Sequence, residues 1–295
     1  MRLEKLYFCK MNKSFPLNNA DLYSTLNCRG HLINLRKPLL MGILNVTPDS
    51  FSDGGFFNTE RAALAQAEKM VAEGAAIIDI GAQSTRPGAN LIAENDEILR
   101  LQNIIPLLKK EFPHILLSLD TFYAATVHFG YEEGVDIIND ISGGMFDEKM
   151  FKTVAATGLP YILMHVNPIY SQMHEKIISE DIIIQLNYYF SEKIQQARDA
   201  GIIDILLDPG FGFGKTLEQN MQLITDFDMI GFSKLPLLAG ISRKSFIYKP
   251  LGKNAVNVDH ETQILHLKLL QKGAKILRVH NVASAQKTLE TFLIS

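Results

Sequence analysis

The sequence has little with which to build several common kinds of protein. Only two cysteines occur in 295 residues, Cys9 and Cys28, both near the N-terminus and not arranged as a partner pair. That argues against a disulfide framework and a zinc site, and points to a reducing, cytoplasmic location. No apolar run approaches the ~20 residues a membrane span requires. The start Met1-Arg2-Leu3-Glu4-Lys5 is charged with no apolar h-region behind it, so no secretory leader is expected. Basic residues never gather beyond a pair or triplet, and 29 Lys and Arg against 32 Asp and Glu leave a net charge of −3. A dedicated nucleic-acid binder needs a basic stripe that this chain does not have. Low-complexity segments and internal linkers are missing too, so one domain is the better reading.

What is present is a regular alternation. Residues 1–22 are polar and irregular and read as a loosely ordered lead-in; residues 23–295 read as the folded domain. Tyr23–Cys28 and Leu32–Leu35 flank Arg29-Gly30-His31 and predict a short hairpin. Apolar runs then follow at Leu39–Leu44, Ala76–Ile80, Ile115–Leu119, Asp136–Ile138, Pro160–Met164, Ile203–Leu207, Leu235–Gly240 and Ala274–Val279. Between them lie helix candidates at Glu60–Glu73, Glu94–Phe112, Phe122–Glu133, Asp147–Thr157, Asp181–Ala200, Leu217–Asp228, Glu261–Lys272 and Ala283–Leu293. Gly74, Gly134, Gly158, Gly201 and Gly273 stand where helix stops are needed. Eight strands and eight helices in alternation is the count of an α/β (β/α)8 TIM barrel. A doubly wound open sheet is the structural alternative, because alternation alone does not show closure.

One stretch invites a phosphate reading and fails it. Leu206–Thr216 runs Leu-Leu-Asp-Pro-Gly-Phe-Gly-Phe-Gly-Lys-Thr. A P-loop would need glycine at position 209, which is Pro209, and Gly210, Gly212 and Gly214 are spaced G-x-G-x-G, not G-x-G-x-x-G. An acid at a strand end beside Phe211 and Phe213 suits a flat, nitrogen-rich ring better. Lys215 then reads as a surface charge at a helix start.

The polar residues cluster at the C-terminal ends of the strands: Asn45–Gly55, Gly81–Gly88, Asp120-Thr121, Asn139–Gly144, His165, Asp208, Ser242–Ser245 and Arg278–His280. TIM barrels keep their active sites on that face. Asp120, Asp208 and Asn139 suit a ring carrying N–H groups, while Arg86, Lys244, Arg278 and His280 suit a phosphate or diphosphate. Asp140 and Asp147 read as turn and N-cap residues. His165 divides evenly between a core and a site role, and His114, His128 and His174 read as surface residues. His260, Glu261 and His266 lack the H-E-x-x-H spacing of a zinc site.

Taken in order, these motifs resemble the dihydropteroate synthase family. The resemblance rests on Gly42–Gly55, Gly81–Ala89, Leu119–Thr121, Asn139–Gly144, Met164-His165, Asp208–Lys215, Ser242–Ser245 and Arg278–His280, and extends from about residue 26 to the C-terminus. It implies a TIM barrel that joins 6-hydroxymethyl-7,8-dihydropterin diphosphate to p-aminobenzoate in folate biosynthesis, releasing diphosphate with Mg²⁺ assistance by an SN1-like route. It implies that Asp120, Asn139, Asp208 and Lys244 hold the pterin, with Met164, Ile141 and Phe213 beside it. Asn45 would contact the metal. Thr85, Arg86, Arg278 and His280 would bind the diphosphate. Phe51, Pro87, Phe213 and Ser245 would line the aminobenzoate pocket, which implies sulfonamide sensitivity. Asp120, Lys244, Asp208 and Arg278 carry the catalytic expectation. Three departures stand out: Gln83 and Asn281 replace acids usual in the family, and Val166–Tyr170 replaces a short glycine-containing loop. A corrinoid-dependent pterin methyltransferase shares the acidic rim but needs no diphosphate clamp. A non-catalytic pterin-binding paralogue should have lost these motifs. No nucleic-acid or membrane partner is expected. Apolar positions Ile264, Leu267 and Leu293 on the last helices suit a homodimer.

Overall fold

A computed structural model of the chain describes residues 25–46, 55–84, 91–167, 169, 172–175, 181–233 and 235–294. The first element is the expected hairpin, β1 (Thr25–Cys28) paired antiparallel with β2 (His31–Asn34). Arg29 and Gly30 both take positive φ, 54° and 88°. That is the two-residue turn whose twist matches the strands it joins.

Eight parallel strands follow: β3 (Leu39–Asn45), β4 (Ile77–Gly81), β5 (Leu116–Asp120), β6 (Ile137–Asp140), β7 (Tyr161–Met164), β8 (Ile205–Asp208), β9 (Leu237–Ala239) and β10 (Ala274–Val279). Each pairs with its neighbours in sequence, and β10 pairs with β3, so the sheet closes into a barrel. Closure decides between the two architectures: this is the TIM barrel, not the open sheet. The helices between strands are α1 (Gly55–Ala72), α2 (Glu94–Leu101), α3 (Ile104–Glu111), α4 (Ala124–Glu132), α5 (Met150–Thr157), α6 (Ile182–Asp199), α7 (Leu217–Thr225), α8 (Ser245–Tyr248), α9 (Asp259–Gln271) and α10 (Val282–Ile294). The five glycines expected to stop helices all have positive φ.

Local chemistry sets several ends. Thr216 and Gln219 form a reciprocal capping box on α7, and the Asp181 carboxylate accepts from the Ile183 and Ile184 N–H groups at the start of α6. Asn281 accepts from the Ser284 N–H at the start of α10, a duty asparagine performs as well as the acid it replaces. The single helix expected over Glu94–Phe112 is instead two. Pro106 has no N–H to give the Gln102 carbonyl, so the chain breaks there and restarts. The run expected over Leu217–Asp228 gives way after Thr225 to a 3₁₀ segment, Phe227–Ser233. The short α8 was not foreseen.

Period-two alternation sorts the barrel interior into layers. At the bottom, Met41, Ile77, Ile137, Ile162, Leu206, Leu238 and Ile276 form one apolar cluster with Leu26, Cys28 and Leu35 of the N-terminal segment. The hairpin therefore plugs the N-terminal end of the barrel. Each of these large side chains contributes roughly 1.5–3 kcal/mol by leaving water. Leu116 of β5 packs against this cluster, and two residues further along β4–β8 and β10 come Asp79, Ser118, Asn139, Met164, Asp208 and Arg278. The interior turns polar halfway up. A second, larger cluster fills the space between the barrel and the helices, with Leu40, Leu44, Ile78, Leu117, Leu163, Leu207 and Leu277 facing outward onto it. The apolar floor and shell give the polar middle layer its rigid support.

Candidate active site

Asn139, Ile141, Met164, Asp208, Gly210, Phe213, Lys244 and Arg278 line one cleft at the C-terminal mouth of the barrel. Seven of the residues expected in the site thus converge. Met164, Ile141 and Phe213 make its apolar wall with Phe122, Val166 and Met173. The Lys244 ammonium lies 4.1 Å from the centroid of the Phe213 ring, a cation–π contact. Ser245 opens α8 directly behind Lys244. His280 is held by Ser242, whose hydroxyl lies 3.2 Å from both its Nδ1 and its backbone N. Asn45 ends β3 opposite Gly81, one residue layer above Asp79. Phe51, Thr85, Arg86 and Pro87 lie outside the described residues.

The most consequential residue lies outside every motif. Asp79 falls in the run Ala76–Ile80, which reads as an apolar strand, and a lone acid there carries no motif. It is fully buried and accepts from three side chains: Ser118 Oγ at 2.6 Å, Asn139 Nδ2 at 3.0 Å and Arg278 Nε at 2.6 Å. Arg278 reaches on with a terminal nitrogen to Asp120 Oδ2, 2.7 Å away. Arg278, expected as a diphosphate ligand, is thus also the centre of an ion-pair chain through the barrel. Burial opposes its charge, but the flanking Asp79 and Asp120 carboxylates more than offset that and raise its pKa. Burial pushes the Asp120 carboxyl up, Arg278 pulls it down, and Asp79 adds to the rise.

Asp208 is buried at the end of β8 and accepts from the Gly210 N–H at 2.7 Å. Burial raises its pKa, opposed by that backbone bond and by Lys244, Arg278 and Lys215. Lys244 is pushed down to about 8, first by burial and then by Arg278, with Asp208 and Asp120 opposing. Arg243 beside it takes a left-handed φ of 58°. Such strain in a non-glycine residue is held only where the surroundings over-determine it.

The glycine loop behaves differently from the expectation for its lysine. Lys215 is buried, not on the surface, and donates to the carbonyls of Gly210 (2.8 Å), Phe213 (3.3 Å) and His165 (3.4 Å). Asn220 braces the same loop, accepting from the Gly212 N–H and donating to the Lys215 and Thr216 carbonyls. The loop is a folded clasp around an ammonium. Phe211 also reaches the cleft lining but stacks its ring in the core on Phe227 and Phe246, whereas Phe213 belongs to the apolar wall of the site. His174 is no bystander on the surface: its ring stacks on Phe213, 5.3 Å away at 14°. His165 is buried edge-on to Tyr189, with burial and Lys215 holding its pKa well below the usual histidine range. Its role is that of a core residue.

The remaining acids divide as follows. Asp140 accepts from the Ser142 and Gly144 N–H groups and from the Tyr161 hydroxyl, so it shapes the turn after β6 as expected. Asp147 accepts from its own turn at Lys149, and also from the Ala124 N–H at the start of α4. Gln83 bridges the residues that flank 85–90: its Oε1 accepts from Ile92 N and its Nε2 donates to Ser84 O.

The fold and this site define the class: a pterin-binding TIM-barrel enzyme. The chain matches the pterin binding enzyme family over residues 41–280. It is 40% identical over 251 residues to a dihydropteroate synthase of Streptococcus pyogenes, covering 84% of this chain and 91% of that one. Among solved structures, it is similar to Xanthomonas albilineans dihydropteroate synthase with 4-aminobenzoic acid, with a TM-score of 0.85 and 34% identity over 92% of this chain and 98% of that one. It is equally similar to a Yersinia pestis dihydropteroate synthase in a sulfonamide drug complex, at a TM-score of 0.85, 37% identity and the same coverage of 92% and 98%. The chain belongs to the dihydropteroate synthases and is a transferase.

Proposed function

We propose that the cleft binds the pterin ring of 6-hydroxymethyl-7,8-dihydropterin diphosphate on Asp208, Asn139, Asp120 and Lys244, and condenses it with p-aminobenzoate. The observation that carries this is the convergence of a buried carboxylate, a buried amide and an ammonium over an apolar wall. Asp208 faces an aminopyrimidine edge with an acceptor, each charge-assisted bond contributing ~1.5–3 kcal/mol. Met164 and Ile141 pack against the flat ring, and Phe213 extends the wall toward the aminobenzoate site.

Diphosphate leaves first, taking the electron pair of the C–O bond and leaving positive charge on the dihydropterin. Half-buried Asp120 stabilises that charge, and its partly desolvated setting makes the interaction stronger than in water. The neutral aniline nitrogen then attacks and loses its proton without a strong protein base. Thr85, Arg86, Arg278 and His280 take the departing diphosphate, and Phe51, Pro87 and Ser245 receive the benzoate ring and its carboxylate. A sulfonamide competes for this second pocket.

Among the described residues no three His, Cys, Asp or Glu side chains gather as a metal cage. Mg²⁺ does not need one, because it is commonly held by one or two protein oxygens together with substrate phosphates. The Asn45 amide oxygen at the end of β3 fits that requirement. Bound there with the diphosphate, the ion supplies charge neutralisation of the leaving group. Among the described residues no helix is long and apolar enough to cross a membrane. Exposed Ile264 on α9, with half-buried Leu267 and Leu293, supports a homodimer through the α9–α10 face.

The test is turnover. Purified protein given pterin diphosphate, p-aminobenzoate and Mg²⁺ should release diphosphate, and Asp208→Asn should slow release at least ~100-fold, about 2.7 kcal/mol. Release at the wild-type rate by that variant removes Asp208 from the reaction.

A further inference from the structure

The middle layer of the barrel contains one ionised group that the proposed chemistry does not use. Asp79 has no exposure, does not line the cleft, and has its three side-chain donors on β5, next to its own strand, and on β6 and β10, each two strands away across the barrel interior. A buried carboxylate kept only for stability would be an expensive choice, since an apolar pair of similar volume is often as stable. Its partners indicate a different use. Two of the three, Asn139 and Arg278, line the cleft themselves.

We propose that Asp79 is a positioning residue that dictates which end of the Asn139 amide addresses the ligand, and that anchors the Arg278 guanidinium between two carboxylates. An ionised carboxylate only accepts hydrogen bonds, so the Asn139 atom turned toward Asp79 must be the NH₂. The amide oxygen is then the end left for the ligand. Asn139 and Asp208 consequently present acceptors together, and the cleft selects a ring edge carrying N–H donors. Ser118 donates the third bond to Asp79 and keeps the carboxylate from turning toward Arg278 alone. On the other side, Arg278 is gripped at Nε by Asp79 and at a terminal nitrogen by Asp120, which fixes the plane of its fork. This inference rests on the pterin reading above and assigns that site's donor–acceptor polarity to a residue outside it.

The test is Asp79→Asn, with Asp79→Asn/Asn139→Asp as the reciprocal swap. In the single variant the new amide can offer its NH₂ to Asn139, which then turns its oxygen inward and shows its own NH₂ to the ligand. KM for pterin diphosphate should rise at least ~30-fold while KM for p-aminobenzoate changes less than ~3-fold. In the swap, the residue at 139 again shows an oxygen to the cleft, and at least a tenfold part of the lost pterin affinity should return. Equal losses for both substrates, or a swap no better than the single variant, would overturn the positioning role and leave Asp79 a structural ion. If the single variant fails to fold, the swap and Ser118→Ala carry the test: Ser118→Ala should raise the pterin KM alone, and an unchanged pterin KM in both overturns the proposal. Wild-type turnover is measured alongside. Its absence would count against the synthase reading itself, whereas wild-type turnover with an unmoved pterin KM in the variants counts only against Asp79.

Discussion

Lys215→Met tests whether the glycine loop is a clasp around a buried charge. The substitution keeps an unbranched chain of similar length but removes the ammonium. Its bond to the Gly210 carbonyl, at 2.8 Å, is the strong one, and a charge-assisted bond contributes ~1.5–3 kcal/mol. The contacts to Phe213 and His165, at 3.3 and 3.4 Å, add less, but both carbonyls lose a donor. Burying the cation costs more than these bonds return while the lysine is charged, as its lowered pKa requires, so at pH 6 the variant should be no less stable than the parent. The pH dependence sharpens the test. Burial lowers the Lys215 pKa from 10.5 to about 7, so above pH 7 the unfolded chain holds a proton that the folded one has released. Stability of the parent protein therefore rises with pH in that window relative to the variant, by at most ~1.4 kcal/mol per pH unit. The parent's Tm should gain on the variant's between pH 7 and 9. Thermal unfolding followed by circular dichroism at three pH values reads this directly. A Tm difference that is the same at every pH, or that moves in the variant's favour with rising pH, refutes the buried clasp and returns Lys215 to the surface.

Gly210→Ala should be worse, because its Cβ would sit 2.1 Å from the His165 backbone oxygen at a φ of +67°; loss of turnover with a Tm drop of at least ~5 °C is expected from a purified-protein assay. Glu97 is buried with one oxygen unpartnered, and burial raises its pKa from 4.5 to about 6. The folded state then holds the extra proton between those values, so stability falls as pH rises through them. Glu97→Gln should abolish that fall and gain on the order of 1–2 kcal/mol at pH 7, seen as a higher Tm. Lys244, lowered to about 8 by burial and Arg278, should give kcat/KM for pterin diphosphate an alkaline limb near pH 8. A profile flat to pH 10 would show that its charge is not needed.

The barrel was legible because buried parallel strands are short apolar runs and glycine stops mark the helix ends. Every one of those runs became a strand, shifted by a residue or two. The cleft was legible for a related reason: Asp120, Asn139, Asp208 and Arg278 end or nearly end their strands, where polarity contrasts with the run before it. Asp79 lies inside its strand and breaks the apolar pattern by a single letter, so period-two phase across neighbouring strands was the only available signal. Lys215 was misread because a lysine at a helix start is ordinarily solvated. Nothing local reveals that three carbonyls turn toward it, since that depends on the left-handed turn at Gly210 and on His165 from another strand. His174 stacks on Phe213 across some 40 residues of chain, a contact that no spacing encodes.

The most direct measurement is a crystal structure of the protein with pterin diphosphate bound. The account predicts the aminopyrimidine edge of the pterin within hydrogen-bond distance of Asp208 and of the Asn139 amide oxygen. It also predicts the ring against Met164 and Ile141, and the diphosphate away from the glycine loop. A diphosphate cradled by Gly210–Gly214, or a pterin ring that touches neither Asp208 nor Asn139, would contradict it.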